Sequence, residues 1–296
     1  MINFKDIRLE DKQLFNKYVG ESALQGCEMS FANLFLWGKQ QLALKDNHLL
    51  FFSSFSQSFY PFPCGEGDKK SVIDSLMEDA KQRGIPFKLT SVYPAQKEIL
   101  QQLYPNRFEF ITNDGWYDYV YDIDDLATFP GKKYHKKRTH FKNFEKTFPN
   151  YSVQPISQSN KKEIEKMVEK WYEDKQSDND NSLNYEKEVF KRAMNNFEQL
   201  ELEGIALYNE QTVLAVTFAS RLSLDTFDVH FEKAVKDTGA YVAICHLFAQ
   251  YIKNKYPFVK YLDREEDMGL EGLRKSKRSY YPHHQVVKYH AILKQE

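Results

Sequence analysis

In the last third of the chain the apolar residues switch period in a fixed order, and this switching constrains the fold more than any other feature. Ile205 to Tyr208 and Val213 to Ala219 flank a Glu-Gln turn and predict a hairpin, with Thr226 to Phe231 as a third strand. From Gly239 to about Lys253 the period lengthens, because Tyr241, Ile244, Phe248 and Tyr251 recur every three or four positions, as on one face of a helix. Phe258 to Leu262 returns to a strand, Leu270 to Lys275 is a short helix, and Val286 to Ile292 is a final strand. Interleaved periods of this kind require helices packed on sheets and predict an α/β or α+β layer architecture.

The N-terminal half carries the same alternation. Ser30 to Trp37 is helical, with Phe31, Leu34 and Phe35 on one face, and Gln41 to Leu44 and Leu49 to Phe52 are strands. A helix through Val72, Ile73, Leu76, Met77 and Ala80 is ended by Gly84 and Pro86. Phe87 to Val92, Ala95 to Leu103 and Phe108 to Thr112 then read strand, helix, strand. Trp116 to Tyr121 opens a second unit, followed by a strand at Tyr151 to Val153 and helices near Lys161 to Tyr172 and Glu186 to Phe197. Asp174 to Ser182 is polar and predicts a mobile loop. A chain of 296 residues suggests two domains, placed at 1–115 and 116–296, with the working cleft in the second.

Aromatics at 15% give enough apolar surface for a packed core and exclude general disorder. Cys27, Cys64 and Cys245 are far apart and odd in number, which argues against a disulfide framework or a zinc–thiolate site. The N-terminus lacks the apolar stretch of a signal peptide, and the uncharged runs are too polar or too short to span a bilayer, so a cytoplasmic setting is expected. No phosphate loop, dinucleotide fingerprint, nucleophile elbow or metal-binding histidine spacing occurs, and no metal is expected.

Lysines and arginines nearly balance Asp and Glu, 41 against 42, so any functional charge is local. It is concentrated from Gly131 to Lys146, where Lys132, Lys133, Lys136, Lys137, Arg138, Lys142 and Lys146 oppose only Glu145. As a helix this segment buries Tyr134, Phe141, Phe144 and Phe148 and exposes cations at successive turns, a surface suited to repeated phosphates. The plain alternative is a solvated helix face.

A second block, Asp263 to Pro282, follows a strand directly, where open sheets carry their sites. Asp263, Glu265, Glu266 and Asp267 crowd four carboxylates into five residues, and their repulsion favours a raised pKa useful to a general base. Arg274, Lys275, Lys277 and Arg278 offer charge for an anionic ligand, although the two blocks could simply pair with each other. On the strand from Thr226, alternation places Thr226, Asp228, His230 and Glu232 on one face, and His230 could accept a proton near neutrality. The alternative is a solvent-facing strand edge.

Phe129-Pro130-Gly131-Lys132-Lys133-Tyr134-His135-Lys136-Lys137-Arg138 with Phe141 and Phe144, and Arg264-Glu265-Glu266-Asp267-Met268-Gly269-Leu270-Glu271-Gly272-Leu273-Arg274-Lys275, resemble a bacterial family similar to the C-terminal domain of phosphatidylglycerol lysyltransferase. Ser30 to Trp37 fits the same family, and the resemblance covers most of the chain. It implies an α+β protein of two tandem GNAT (acetyltransferase)-like domains with mixed sheets flanked by helices, related to cell-wall peptidyltransferases. It further implies an aminoacyl- or acyltransferase moving an activated group to an amine or hydroxyl of a small-molecule, peptide or lipid acceptor.

The coenzyme A phosphate turn of ordinary acetyltransferases corresponds here to Lys236-Asp237-Thr238-Gly239-Ala240-Tyr241, where only Gly239 fits. Aminoacyl-tRNA is therefore expected as donor ahead of acetyl-CoA. On this reading Lys132, Lys133, Lys136, Arg138 and Gly239 hold the donor, while Glu265, Glu266, Asp267 and His230 supply the proton chemistry. Gly269, Arg274 and Lys275 hold the acceptor. The alternatives are a non-catalytic RNA- or membrane-surface-binding module on the same fold, or a CoA-dependent N-acetyltransferase.

Overall fold

The computed structural model describes residues 1–19, 26–54, 57–175, 181–236 and 238–294. Asp237 and most of the predicted loop at 174–182 lie outside the described residues. The first half runs β1 (Lys5–Asp6), α1 (Lys12–Tyr18), α2 (Phe31–Trp37), β2 (Gln40–Lys45), β3 (His48–Ser53), β4 (Tyr60–Pro61), β5 (Cys64–Gly65), α3 (Lys69–Arg83), β6 (Lys88–Val92), α4 (Pro94–Leu103) and β7 (Phe108–Ile111). Next come β8 (Asp118–Asp122), α5 (Ile123–Thr128), α6 (His135–Thr147), β9 (Tyr151–Pro155), α7 (Lys161–Glu173) and α8 (Asn181–Asn195). The chain ends with β10 (Glu203–Asn209), β11 (Thr212–Arg221), β12 (Thr226–Ala234), α9 (Ala240–Lys255), β13 (Tyr261–Asp263), α10 (Glu271–Arg278), β14 (His284–Val286) and β15 (Tyr289–Leu293).

Local chemistry accounts for many of the boundaries. Ser30 caps α2 by accepting from the Asn33 N–H at 3.2 Å, and Asp68 caps α3 by accepting from Ser71 at 3.1 Å. Gly84 ends α3 in the left-handed region, as its position in the sequence predicts. Two expectations change. The strand read at Phe258 to Leu262 is β13, starting only at Tyr261, because Phe258 sits half exposed in the turn that delivers the chain to the sheet. The run from Val286 to Ile292 is two strands, β14 and β15, in different sheets.

The chain divides into two units. One comprises Met1–Tyr119, Glu266–Lys275 and Gln285–Glu296; the other comprises Val120–Glu265 and Ser276–His284. The first unit carries two four-stranded sheets, ordered β1-β2-β3-β5 and β4-β6-β15-β7. Its core joins Leu50, Tyr60 and Phe62 to Val72, Ile73 and Leu76 of α3 and Ala291 of β15. The second unit is built on the seven-stranded sheet β14-β8-β13-β12-β11-β10-β9, whose strands β9 to β13 lie wholly within it. Helix α9 buries Ile244, Phe248 and Ile252, and Phe218 stacks on Phe231 across β11 and β12 with ring centroids 5.2 Å apart. Parallel pairs β12–β13 and β4–β6 among antiparallel neighbours make the sheets mixed, so the protein is α+β as expected.

Candidate functional site

In the second unit β12 meets β13 in parallel only at Thr226–Tyr261, Phe227–Leu262 and Asp228–Asp263. Just past that point its register against β11 slips, since Phe218 faces Phe231 while Ala219 faces Val229, leaving His230 as the extra residue of a bulge. A bulge re-aims a side chain, and such bulges gather near active sites. His230 Nε2 lies 2.8 Å from Ser220 Oγ, and its Nδ1 lies 3.4 Å from both Asp228 Oδ2 and Glu265 Oε1. The Asp228 side chain is fully buried, that of His230 nearly so, and that of Glu265 is 23% exposed. This polar strand face is an interior one.

Glu265 is delivered by a strained turn. Its backbone sits at φ +58, where few non-glycine residues rest. Asp263 Oδ1 accepts its N–H at 2.8 Å, and the Lys277 ammonium donates to the carbonyls of Arg264 and, at 3.0 Å, Glu265. Arg264 pairs with Glu232 at 2.8 Å beneath the ring of Tyr280.

The basic segment forms α6 and the turn before it; of the expected stripe Tyr134 and Phe144 are buried, while Phe141 and Phe148 are only half-buried. Its cations divide by task. Lys132, Lys136, Lys142 and Lys146 are exposed. Lys133 pairs with Asp125 at 2.8 Å, and Arg138 donates to the carbonyls of Phe129 and, at 2.7 Å, Gly131, closing the loop before the helix. Lys137 donates to Ser279 Oγ at 2.7 Å and lies 3.3 Å from the Tyr280 ring centroid. Burial lowers its ammonium to about 8, and it feels the charges of Arg264 and Glu232, so the inner flank of α6 adjoins the pair beside His230. Gly239 precedes α9 at φ +78 with α6 against it: a Cβ there would stand 3.4 Å from Phe144 Cβ and 3.5 Å from the His140 carbonyl oxygen. The Tyr241 hydroxyl accepts from Trp171 Nε1 at 3.1 Å.

The remaining expected site residues lie in the first unit. Asp267, fully buried, accepts from Arg274 Nε at 2.8 Å, from the Tyr119 hydroxyl at 2.7 Å and from the Gly269 N–H at 2.8 Å. Arg274 above all holds its carboxyl down to about 2, so it stays ionised near neutrality. Lys275 pairs with Glu271 at 2.7 Å on the surface. Glu266 lies 3.6 Å from the Cys27 thiol and 3.9 Å from Lys288.

Lys288 is the hub that sequence reasoning missed. Its buried ammonium lies 2.7 Å from Asp118 Oδ2 and 2.7 Å from Glu28 Oε1, and Glu28 also accepts from Ser91 at 2.9 Å and Tyr93 at 3.2 Å. The available signal was a lone lysine and a lone aspartate, each inside an otherwise apolar strand run. Ser220 was likewise missed, and Lys277, expected to face an anionic ligand, instead donates to the carbonyls of Arg264 and Glu265. Among the described residues no helix is long and apolar enough to cross a membrane.

Comparison with known proteins gives a consistent picture. The family described as phosphatidylglycerol lysyltransferase, C-terminal, matches residues 20–292. A conserved protein of unknown function from Bacteroides thetaiotaomicron is similar at 36% identity and TM-score 0.93, covering 99% of this chain and 100% of that one. L-PGS from Bacillus licheniformis is similar at 16% identity and TM-score 0.70, covering 99% and 94%. A tandem GNAT protein from the clavulanic acid biosynthesis pathway is similar at 8% identity and TM-score 0.51, covering 100% of both chains. These last two likenesses show the fold, which is GNAT-like and tandem. No curated protein matches the chain.

Proposed function

Given that this chain belongs to the phosphatidylglycerol lysyltransferase C-terminal family, whose chemistry is aminoacyl transfer, we propose that it moves an aminoacyl group from a charged tRNA to an amine or hydroxyl acceptor. The observation that carries this reading is the group Asp228–His230–Glu265, assembled where β12 parts from β13. This group takes the acceptor's proton as the acceptor oxygen or nitrogen attacks the ester carbonyl. The tetrahedral intermediate then collapses, the bond to the ribose oxygen breaks, and the proton passes to that leaving oxygen. Backbone N–H groups along β12 past Asp228, where the ladder with β13 stops, are suited to hold the oxyanion.

The exposed lysines of α6 and of the turn before it support tRNA as donor, since Lys132, Lys136, Lys142 and Lys146 offer charge over several turns. Coenzyme A is disfavoured, because α6 packs against the backbone at Gly239 where a pyrophosphate would have to approach. Lys133 and Arg138 serve mainly to hold the loop before α6. In the first unit Asp267 and Arg274 satisfy each other and act as a brace.

The test is transfer of a labelled aminoacyl group from charged tRNA to phosphatidylglycerol vesicles or to peptide amines. His230→Ala should lower kcat by about 10²–10⁴ while leaving tRNA binding intact. Lys132→Ala with Lys136→Ala should weaken tRNA binding and reduce the slope of log affinity against log salt by about 2. Saturable turnover with acetyl-CoA and none with charged tRNA would overturn this reading. Salt-dependent tRNA binding without transfer would favour an RNA-binding module.

A further inference from the structure

We propose that Lys137 is a nucleophilic lysine and a site of N-acylation by small activated acyl groups, carried as acyl phosphates or acyl thioesters. The inference does not depend on what the protein transfers, and it uses none of the groups given a role in that transfer. Lys137 is half-buried on the inner flank of α6, and among the described residues both partners of its ammonium are neutral. Ser279 Oγ accepts from it at 2.7 Å, and the centroid of the Tyr280 ring lies 3.3 Å away. The Ser279 hydroxyl proton is committed to the Ser276 carbonyl at 2.6 Å. The ring is also shared, since the Arg264 guanidinium lies 5.0 Å from the same centroid. A lysine given no carboxylate partner and set beside another cation has the surroundings that activate an amine.

Electrostatics agree with this placement. Burial lowers the ammonium to about 8; the pulls of Cys245 and Glu232 oppose that shift, and the Arg264 charge adds to it. Glu232 is paired with Arg264 at 2.8 Å, and burial pushes the Cys245 thiol up to about 11, so it is uncharged near neutrality. At pH 7.5 the neutral fraction of such an amine exceeds that of an ordinary lysine by roughly 200-fold, part of which is offset because a less basic amine attacks more slowly. An ammonium has three donors, so the neutral amine keeps N–H groups for Ser279 and the ring while its lone pair takes the third position. That lone pair attacks the acyl carbon, the C–N bond forms, the bond to the phosphate oxygen or thiol sulfur breaks, and the amine proton leaves with that group. Ser279 is exposed, which leaves this flank open to a small donor.

The experiment is acetylation of the full-length protein by acetyl phosphate and, separately, by acetyl-CoA from about pH 6.5 to about pH 9.5, with the rate at each lysine read by peptide mass spectrometry. Exposed Lys136, beside it on α6, is the internal reference. Lys137 should react about 10-fold faster than Lys136 at pH 7.5 with at least one donor, and the donor that labels it is the acyl source. Its rate should level off above about pH 8 while that of Lys136 keeps rising. Ser279→Asp, which sets a carboxylate beside the ammonium, should bring Lys137 down to the rate of Lys136, with circular dichroism confirming the fold. Lys137 reacting no faster than Lys136 with both donors, a Lys137 rate still climbing at the top of the pH range, or an advantage that survives Ser279→Asp would each overturn the proposal.

Discussion

At the scale of single residues, the electrostatics of the first unit turn on Lys288. One ammonium faces Asp118, Glu28 and, farther off, Glu266, in a site closed to water on the Asp118 side. Burial, helped by Glu28 and Glu266, pushes Asp118 from its ordinary 3.8 up to about 8 against the pull of Lys288. Burial also pushes Glu28 upward, but the contact with Lys288 wins and draws it down. Because the folded value of Asp118 is raised, its contribution to stability is fully present below the unfolded value and is lost as pH rises through about 8. Asp118→Asn should therefore flatten the decline in stability between pH 5 and pH 9, measured by urea denaturation; parallel profiles for both proteins would refute this. Asp267 has the opposite sign, so its contribution is lost only as pH falls through about 2. Lys288→Met should cost about 3–5 kcal/mol, measured by the same denaturation, since it leaves the Glu28 carboxylate without its counter-ion.

At the scale of elements, α6 has two functions on two faces. Tyr134 and Phe144 anchor it and Lys137 lies over Tyr280, while the lysines outside contribute nothing to packing. Lys142→Ala should change stability by no more than about 0.5 kcal/mol. Gly239→Ala should cost about 1–3 kcal/mol, because the left-handed backbone at φ +78 is strained for alanine. Comparison of denaturant midpoints checks both, and an unchanged midpoint for the Gly239 variant would show that the backbone there carries no such strain. Much of this layer was legible: the basic outer face of α6, the Gly84 stop of α3 and the hairpin β10–β11 all follow from local pattern. The bulge at His230 was not, because it depends on a register against β11 that no local period encodes.

At the scale of the whole molecule, the first unit is assembled from three stretches of chain. Strand β15 lies between β6 and β7 and is the common partner of both. A chain ending at Val287 would lose that strand together with Lys288, and residues 88–111 should become sensitive to protease and lose cooperative unfolding. Retained protection there would mean that β6 and β7 hold without their central partner.

The sequence by itself determined most of the longer elements and the chemical character of the two charged blocks, because helix and strand periods and turn residues act over a few positions. Only the tertiary structure decided what those blocks do. Asp118 and Lys288 are 170 positions apart, and Glu265 stands 35 from His230, so their pairing depends on which strands become neighbours. It also divided the acidic block, sending Arg264 and Glu265 to one unit and Glu266 to Lys275 to the other. A buried charge is stable only beside its partner, and the identity of that partner is a property of the fold.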